Sequence, residues 1–107
     1  MSEVAEVTDA TFEQVVLRSP KPVLVDYWAD WCAPCRQLSP IVDELAREYG
    51  DRVTFVKLDT NANPLTPTQY GVMGLPTLQL WSGGELVNSM TGGKSKNALI
   101  KALSAYL

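Results

Sequence analysis

Trp31-Cys32-Ala33-Pro34-Cys35 is the segment around which the rest of the sequence is arranged, and it contains the only two cysteines among the 107 residues. Before it, residues 23–28 form an apolar run that predicts a buried strand. After it, apolar residues recur at helical spacing, at Leu38, Ile41, Val42, Leu45 and Tyr49. The two cysteines are therefore expected where a strand is followed by a helix.

The spacing of the two cysteines suits thiol–disulfide exchange. Residues three apart on a helix share one face, and their Cα atoms lie roughly 5 Å apart, within the range that a disulfide requires. Only a thiolate attacks a disulfide, and the unpaired N–H groups at a helix start favour an anion. We therefore expect Cys32 to attack a substrate disulfide and Cys35 to resolve the resulting mixed disulfide. Pro34 suits the first helical turn, where its missing N–H would have had no partner.

A structural role and a metal-binding role are both weaker interpretations of the cysteine pair. A purely structural disulfide across two intervening residues closes a very short loop, which gives little stabilisation in the chain-entropy model. Half of a zinc site is the second interpretation, but zinc needs four ligands and the sequence has no histidine and no further cysteine. The pattern favours a redox dithiol, and it implies neither a metal nor a cofactor.

Length and composition predict a single domain, residues 1–107, because 46% of the residues are hydrophobic and can form a core. The formal net charge is −3 and the nine Lys and Arg residues are scattered, which argues against a nucleic-acid partner. No apolar run is long enough to span a membrane. The first six residues lack the basic start and apolar core of a signal peptide, so a cytoplasmic location is expected.

The periodicity of apolar residues predicts the element order βαβαβαββα. Thr8 and Asp9 are candidate N-caps for a first helix, which the prolines within residues 19–22 end. Strands are expected at residues 4–7, 23–29, 52–59, 77–81 and 86–90.

The helix that follows the cysteines is expected to reach Tyr49, with Gly50 as its C′ residue and a kink rather than a stop at Pro40. A short helix is expected before Gly71, and Ser95 can cap a last helix that extends to residue 107.

The connections between these elements predict one mixed sheet with helices on both faces, an α/β fold. Strands joined through helices are expected to pair in parallel, whereas Gly83 and Gly84 predict a hairpin between the last two strands. Ligand sites of such sheets lie at the carboxyl ends of the parallel strands, which is where the cysteines fall.

The sequence resembles the thioredoxin family along essentially its whole length. Residues 26–36 match that family's active-site block. Pro40, Lys57, the segment 74–77 and Gly92 fall, in order, where the family has counterparts. The resemblance implies the thioredoxin fold, a mixed five-stranded sheet with helices on both faces. It also implies reduction of disulfides in protein substrates, with a thioredoxin reductase as the electron donor.

The sequence departs from the family's usual pattern at three positions of interest. Ala33 stands where the family usually has glycine, which affects the reduction potential of the pair. Met73 occupies a position that is often arginine, and Thr91 one that is often valine. Both border the expected docking surface, so the preference for protein partners is expected to differ.

Asp26 and Lys57 are expected to support the cysteines. Asp26 lies in a strand that is apolar on both faces, so we expect it to be buried with a raised pKa and to relay a proton to or from Cys35. The alternative is an outward-facing carboxylate at a sheet edge. The resemblance places Lys57 beside Asp26, where it would partly offset the buried charge, although a solvated strand lysine is an equal alternative.

The resemblance also implies a substrate surface around the cysteines. The peptide bond before Pro76 is cis in the family and packs against the dithiol, which leaves the backbone of Leu75 free to pair with an extended substrate. Trp31 is expected on the rim, and Gly92 is expected to allow close approach of a substrate backbone. The substrate-binding residues expected on this basis are Trp31, Ala33, Pro34, Gly74, Leu75, Pro76 and Gly92. Trp28 and Pro40 are expected to support the site structurally.

Two alternative functions are compatible with the sequence. The same cysteine chemistry could run in reverse, as in the oxidases and isomerases of oxidising compartments. The fold could also serve as a docking platform whose redox state only gates binding. A monomer is the simplest expectation for a chain of this size.

Overall fold

A computed structural model describes residues 3–107 and contains a five-stranded mixed sheet with strand order β1-β3-β2-β4-β5. The strands are β1 Ala5–Glu6, β2 Val23–Trp28, β3 Thr54–Asp59, β4 Thr77–Ser82 and β5 Glu85–Thr91. The α-helices are α1 Ala33–Tyr49, α2 Leu65–Gln69 and α3 Lys96–Leu103. A π-helical turn, Glu13–Leu17, precedes β2, and a 3₁₀ turn, Ser104–Tyr106, follows α3. The predicted fold class and the mixed five-stranded sheet are confirmed.

The direction of β4 differs from the prediction made from connections alone. Strands β1, β3 and β2 are parallel, but β4 is antiparallel to both β2 and β5. The five residues of α2 advance the chain by about 8 Å, whereas a six-residue strand spans about 20 Å, so this helix does not by itself carry the chain back across the sheet. The chain therefore stays at the carboxyl edge, and Thr77 at the start of β4 pairs with Tyr27 near the end of β2.

The first predicted helix is only the π-helical turn Glu13–Leu17, and its predicted caps are wrong. The Thr8 hydroxyl accepts the N–H of Thr11, and the Thr11 hydroxyl accepts the N–H of Thr8, in the turn that precedes residue 13. The Asp9 carboxylate instead accepts the N–H groups of Leu65 and Thr66, at 3.1 and 2.8 Å, and so caps α2. The unpaired N–H groups of a distant helix satisfy the carboxylate better than the local turn does.

The central helix α1 continues through Pro40 to Tyr49, so the prediction that Pro40 does not stop it is confirmed, while the predicted kink stays a prediction. Gly50 is the C-cap residue of this helix, with φ −63° in the right-handed region, so the prediction of Gly50 as its C′ residue is wrong. A side chain is excluded there for another reason, because a Cβ on Gly50 would lie 2.5 Å from the carbonyl oxygen of Ala46.

The sheet separates two apolar layers. Leu24 of β2 packs in the layer formed with α1 and α3, which includes Leu38 and Leu99. Val25 and Tyr27 face the opposite layer. Because successive strand residues point to opposite faces, residue 26 lies on the face that α1 covers. Helices on both faces are thus confirmed.

In the C-terminal third of the chain, the structure contains the hairpin turn and the helix cap that the sequence predicts. Gly83 and Gly84 have φ of +62° and +81°, as a two-residue hairpin turn requires. The Ser95 hydroxyl accepts the N–H of Ala98 at 3.1 Å and caps α3. The last helix is shorter than predicted, since α3 ends at Leu103 and a 3₁₀ turn follows. None of the helices within residues 3–107 has both the length and the apolar character that crossing a bilayer would demand.

Candidate active site

Cys32 and Cys35 form a disulfide at the start of α1, with their Cα atoms 5.3 Å apart. Cys32 is the N-cap residue, with an extended backbone, and its Sγ accepts the N–H of Cys35 at 3.2 Å. This N–H is one of the first-turn groups that have no partner within the helix. The contact therefore brings an N–H group that the helix leaves unpaired to the first sulfur of the pair.

The exposed surface of the two cysteines is small and nearly equal. Cys32 is 4% exposed and Cys35 is 3% exposed, so accessibility in the oxidised state does not distinguish them. Their positions in the helix do, because only Cys32 precedes the first turn. Ala33 and Pro34 occupy the first two helical positions, where a missing N–H leaves no gap in the hydrogen-bond ladder. Ala33 and Pro34 are exposed beside the disulfide.

Asp26 is buried, at 5% exposure, as the sequence predicts. Its Oδ1 has no hydrogen-bond partner among the described residues. Burial raises the pKa of this carboxyl to about 7, while the charge of Lys57 lowers it and that of Asp43 raises it further. Lys57 pairs in register with Asp26 across β2 and β3, so the predicted juxtaposition is found.

A cavity of about 160 Å³ lies between Asp26, Lys57 and Cys35. Its lining includes the polar side chains of Asp26, Ser39 and Lys57, and its volume is large enough to hold a water molecule. The cavity therefore offers a route for a proton between the carboxyl group and the second cysteine. Its lining residues are Asp26, Trp28, Ala29, Asp30, Cys35, Arg36, Ser39 and Lys57.

The loop before β4 forms the wall opposite α1. The Leu75–Pro76 peptide bond is cis, as the resemblance implies. Leu75 packs against the small cluster of Ala29 and the two cysteines, and the N–H of Gly92 donates to the carbonyl of Pro76 at 2.8 Å. Gly92 has φ +94°, which favours glycine. Gly74 lies against Thr91, whose Cγ2 would be 3.3 Å from a Cβ at position 74.

The two tryptophans near the cysteines occupy different environments. Trp31 is 69% exposed on the rim, and its Nε1 is 3.4 Å from Oδ1 of Asn61. Trp28 packs beneath the cysteines, and its Nε1 is buried without a partner among the described residues. Pro40 follows Ser39 on α1, is exposed, and does not line the cavity. The structure thus brings all of the predicted residues except Pro40 to the dithiol or to its rim.

Some contributors to the site were not predicted from the sequence. Ser39 lines the cavity and Asp43 acts on the pKa of Asp26. The sequence spacing could have predicted both residues, since residues 35, 39 and 43 are four apart and share one helix face. The guanidinium of Arg36 donates to the carbonyl of Asp30 at 2.6 Å and closes the turn before the helix. Among residues 3–107 no cluster of three or more His, Cys, Asp or Glu residues could hold a metal ion.

Comparison with known proteins matches the thioredoxin family model to residues 3–105. The chain belongs to the thioredoxin family. Thioredoxin 1 of Synechococcus elongatus is 48% identical over 107 residues, the whole of both chains. The thioredoxin of Pseudomonas aeruginosa is 47% identical over 108 residues, again the whole of both. The thioredoxin of Streptomyces clavuligerus is 50% identical over 95 residues, 89% of this chain and 88% of that protein.

Thioredoxins are protein-disulfide oxidoreductases, so the predicted enzyme class is confirmed. The close cysteine pair is suited to dithiol–disulfide exchange. Membership of the thioredoxin family also implies disulfide-containing protein substrates and a reductase partner.

Proposed function

We propose that Cys32 is the attacking thiolate and Cys35 the resolving thiol in the reduction of protein disulfides. The contact from the Cys35 N–H to Cys32 Sγ, at 3.2 Å, is the observation that supports this order most strongly. It stabilises negative charge on the first sulfur of the pair rather than on the second.

The reaction proceeds in two exchanges. The Cys32 thiolate attacks one substrate sulfur, the substrate S–S bond breaks, and the second substrate sulfur leaves as a thiolate and takes a proton. The Cys35 thiolate then attacks Cys32 Sγ, the mixed S–S bond breaks, and the first substrate sulfur leaves in the same way. Two electrons pass from the dithiol to the substrate, and a thioredoxin reductase restores the dithiol. The second step is fast because it is intramolecular.

Asp26 serves as the proton acceptor for Cys35 in this proposal. Its pKa of about 7 keeps both protonation states populated near neutrality, which suits a general base. The water-sized cavity between Asp26 and Cys35 supports proton transfer through a water molecule. Lys57 tunes the pKa of Asp26 by partly offsetting its negative charge.

Protein substrates dock on the surface around the dithiol. An extended substrate segment pairs with the backbone of Leu75, beside cis-Pro76. The exposed indole of Trp31 covers one side of the docked segment. The docking surface comprises Trp31, Ala33, Pro34, Gly74, Leu75, Pro76 and Gly92.

Further parts of the proposal concern the structural support of the site, the oligomeric state and the location of the protein. Trp28 supports the cysteines from below, and Pro40 shapes α1. A single domain, residues 1–107, acts as a monomer, since one chain supplies every residue proposed for the reaction. A dithiol that must be reduced again after each turnover suits the reducing cytoplasm.

Reduction of insulin with dithiothreitol as donor tests the assignment of roles. Cys32→Ser should abolish activity, whereas Cys35→Ser should accumulate a mixed disulfide between Cys32 and the substrate. Mass spectrometry of the trapped species identifies the sulfur that attacked. Faster formation of a mixed disulfide by Cys35 in Cys32→Ser than by Cys32 in Cys35→Ser would reverse the roles, and equal rates would contradict the assignment.

A further inference from the structure

Gln79 of β4 is a fully buried amide between two buried leucines, and each of its polar atoms has a partner. The hydroxyl of Tyr27 donates to its Oε1 at 2.8 Å. Its Nε2 donates to the carbonyl of Tyr70 at 3.1 Å and lies 3.4 Å from Oγ of Ser89. A donor that meets Oε1 and acceptors that meet Nε2 fix the orientation of the amide.

Tyr27 supports this amide from the neighbouring strand. Its side chain is fully buried, and burial, with a smaller contribution from Tyr70, raises the pKa of the phenol above its ordinary value. The hydroxyl therefore stays protonated and remains a donor over the working pH range. Tyr27 follows Asp26 in sequence but faces the opposite layer of the sheet, so the two groups belong to separate environments.

Burying an amide and a phenol gives no more stability than burying apolar side chains of similar shape. Core packing alone therefore does not explain why Tyr27 and Gln79 are polar, so another effect of this pair is expected. The consequence visible in the structure is the hydrogen bond to the carbonyl of Tyr70, the residue that follows α2.

That carbonyl begins residues 70–75, which we call the docking segment because it carries Gly74 and Leu75 to the dithiol. Two side chains of β4 hold this segment. Thr77 Oγ1 donates to the carbonyl of Gly74 at 2.5 Å, and Gln79 donates to that of Tyr70. Residues 77 and 79 share one face of the strand, so the two contacts fix both ends of a short loop against the sheet.

We propose that Gln79, held in place by Tyr27, is a positioning residue for protein-substrate binding. It fixes the docking segment before the substrate arrives, so that Leu75 presents its backbone without first becoming ordered. Preorganisation of this kind lowers the entropy cost of association. The inference rests on the proposed docking of protein substrates at Leu75. It assigns no part in the exchange of sulfur atoms to Gln79.

The test compares protein and small-molecule disulfides in Gln79→Leu. We expect KM for insulin to rise about five-fold while kcat stays within about two-fold of the parent value, because binding is affected and chemistry is not. The rate with the small disulfide 5,5′-dithiobis(2-nitrobenzoate), which does not need the docking segment, should stay within about two-fold. Tyr27→Phe keeps the Tyr70 contact, so its increase in KM should be smaller.

Leu80→Ala is the matched control. Leu80 is buried on the same strand but packs in the layer formed with α1 and α3, so its truncation destabilises the fold without touching the docking segment. Its KM for insulin should match the parent protein at a temperature where it remains folded. An equal rise of KM in Leu80→Ala, or no rise in Gln79→Leu, would reduce Gln79 to a structural role.

The double variant Tyr27→Phe/Gln79→Leu is less prone to loss of folding, because it replaces both polar partners by apolar groups. The Tyr70 carbonyl loses its partner, and the exposed Ser89 hydroxyl can bind water instead. Its amide hydrogen exchange provides a readout independent of activity. We expect faster exchange at residues 71–75 and unchanged exchange in α1 and α3. If the parent protein failed to reduce insulin yet this exchange rose, the proposed function would be wrong and the positioning would stand. Unchanged exchange at residues 71–75 would overturn the positioning.

Discussion

Asp26 on β2 and Lys57 on β3 are register partners in the parallel part of the sheet, yet the lysine does not keep the carboxyl pKa low. Burial raises the pKa of Asp26 to about 7, and the nearby Asp43 raises it further, against the opposing effect of Lys57. Desolvation therefore outweighs the favourable pairing. The outcome is a carboxyl group that changes protonation in the pH range where thiols exchange.

The raised pKa of Asp26 predicts a pH-dependent stability. The folded chain keeps a proton that the unfolded chain, with its carboxyl pKa near 3.8, has lost. The contribution of Asp26 to the free energy of unfolding is therefore fully present below that lower pKa and falls as pH rises. It levels off above about pH 7, after a total loss of about 4 kcal/mol. The Asp26→Asn side chain cannot ionise. The free energy of unfolding of this variant, measured with urea, should therefore rise relative to that of the parent protein from pH 4 to pH 8. The exposed Asp51→Asn should show no such trend, and a pH-independent difference for Asp26→Asn would refute the assignment.

Lys57→Met tests the electrostatic coupling between the two strands. Removal of the cation takes away the main opposing influence, so the pKa of Asp26 should move above 7. Titration of the Asp26 side-chain carbon by NMR measures the change. Lys21→Met, at the far end of the sheet, should leave the titration unaltered. A downward movement in Lys57→Met would contradict the account.

Trp31→Ala should separate binding from stability. The indole is 69% exposed and makes one long hydrogen bond, to Asn61, so the free energy of unfolding should change by less than about 1 kcal/mol. KM for insulin should rise about three- to ten-fold because a large docking side chain is lost. Trp28→Phe, by contrast, should alter stability, since Trp28 packs beneath the cysteines. Unchanged insulin kinetics in Trp31→Ala would remove Trp31 from the docking surface.

Met73→Arg should change the preference for substrates and little else. Met73 is 97% exposed and borders a groove of about 310 Å³ that it shares with Trp31 and Leu75. None of the described residues that line this groove carries a charge. A new cation there should favour peptide disulfides flanked by acidic residues over those flanked by leucine by about three- to ten-fold in kcat/KM. Met73→Leu is the control, and equal ratios in the two variants would contradict a role for this position.

The sequence predicted the site better than it predicted chain direction. The site is recognised from local patterns: two cysteines, an apolar strand before them and an amphipathic helix after them. These features depend on residues that are close in sequence, so the sequence alone predicts them. The direction of β4 depends instead on whether five-residue α2 can carry the chain back across the sheet, which is a question of distances. Connection rules predicted the mixed sheet from the hairpin between the last two strands, but they gave β4 the wrong direction relative to β2.

Partners far apart in sequence explain the remaining differences. Asp9 has the chemistry of a local cap, but its carboxylate caps α2, more than fifty residues away. Gln79 lies between two leucines, and its contacts with the Tyr27 hydroxyl and the Tyr70 carbonyl show why an amide is tolerated there. The cis bond before Pro76 could be expected from resemblance alone, because propensity favours the trans form.

The relative reactivity of the two reduced cysteines shows directly whether Cys32 is the ionised sulfur that attacks the substrate. Iodoacetamide at pH 7, followed by peptide mass spectrometry, measures the alkylation rate of each sulfur separately. We expect Cys32 to react first and faster than a free peptide thiol, because the first turn of α1 stabilises its thiolate. Alkylation of Cys35 ahead of Cys32, or a Cys32 rate equal to that of the peptide, would contradict this expectation.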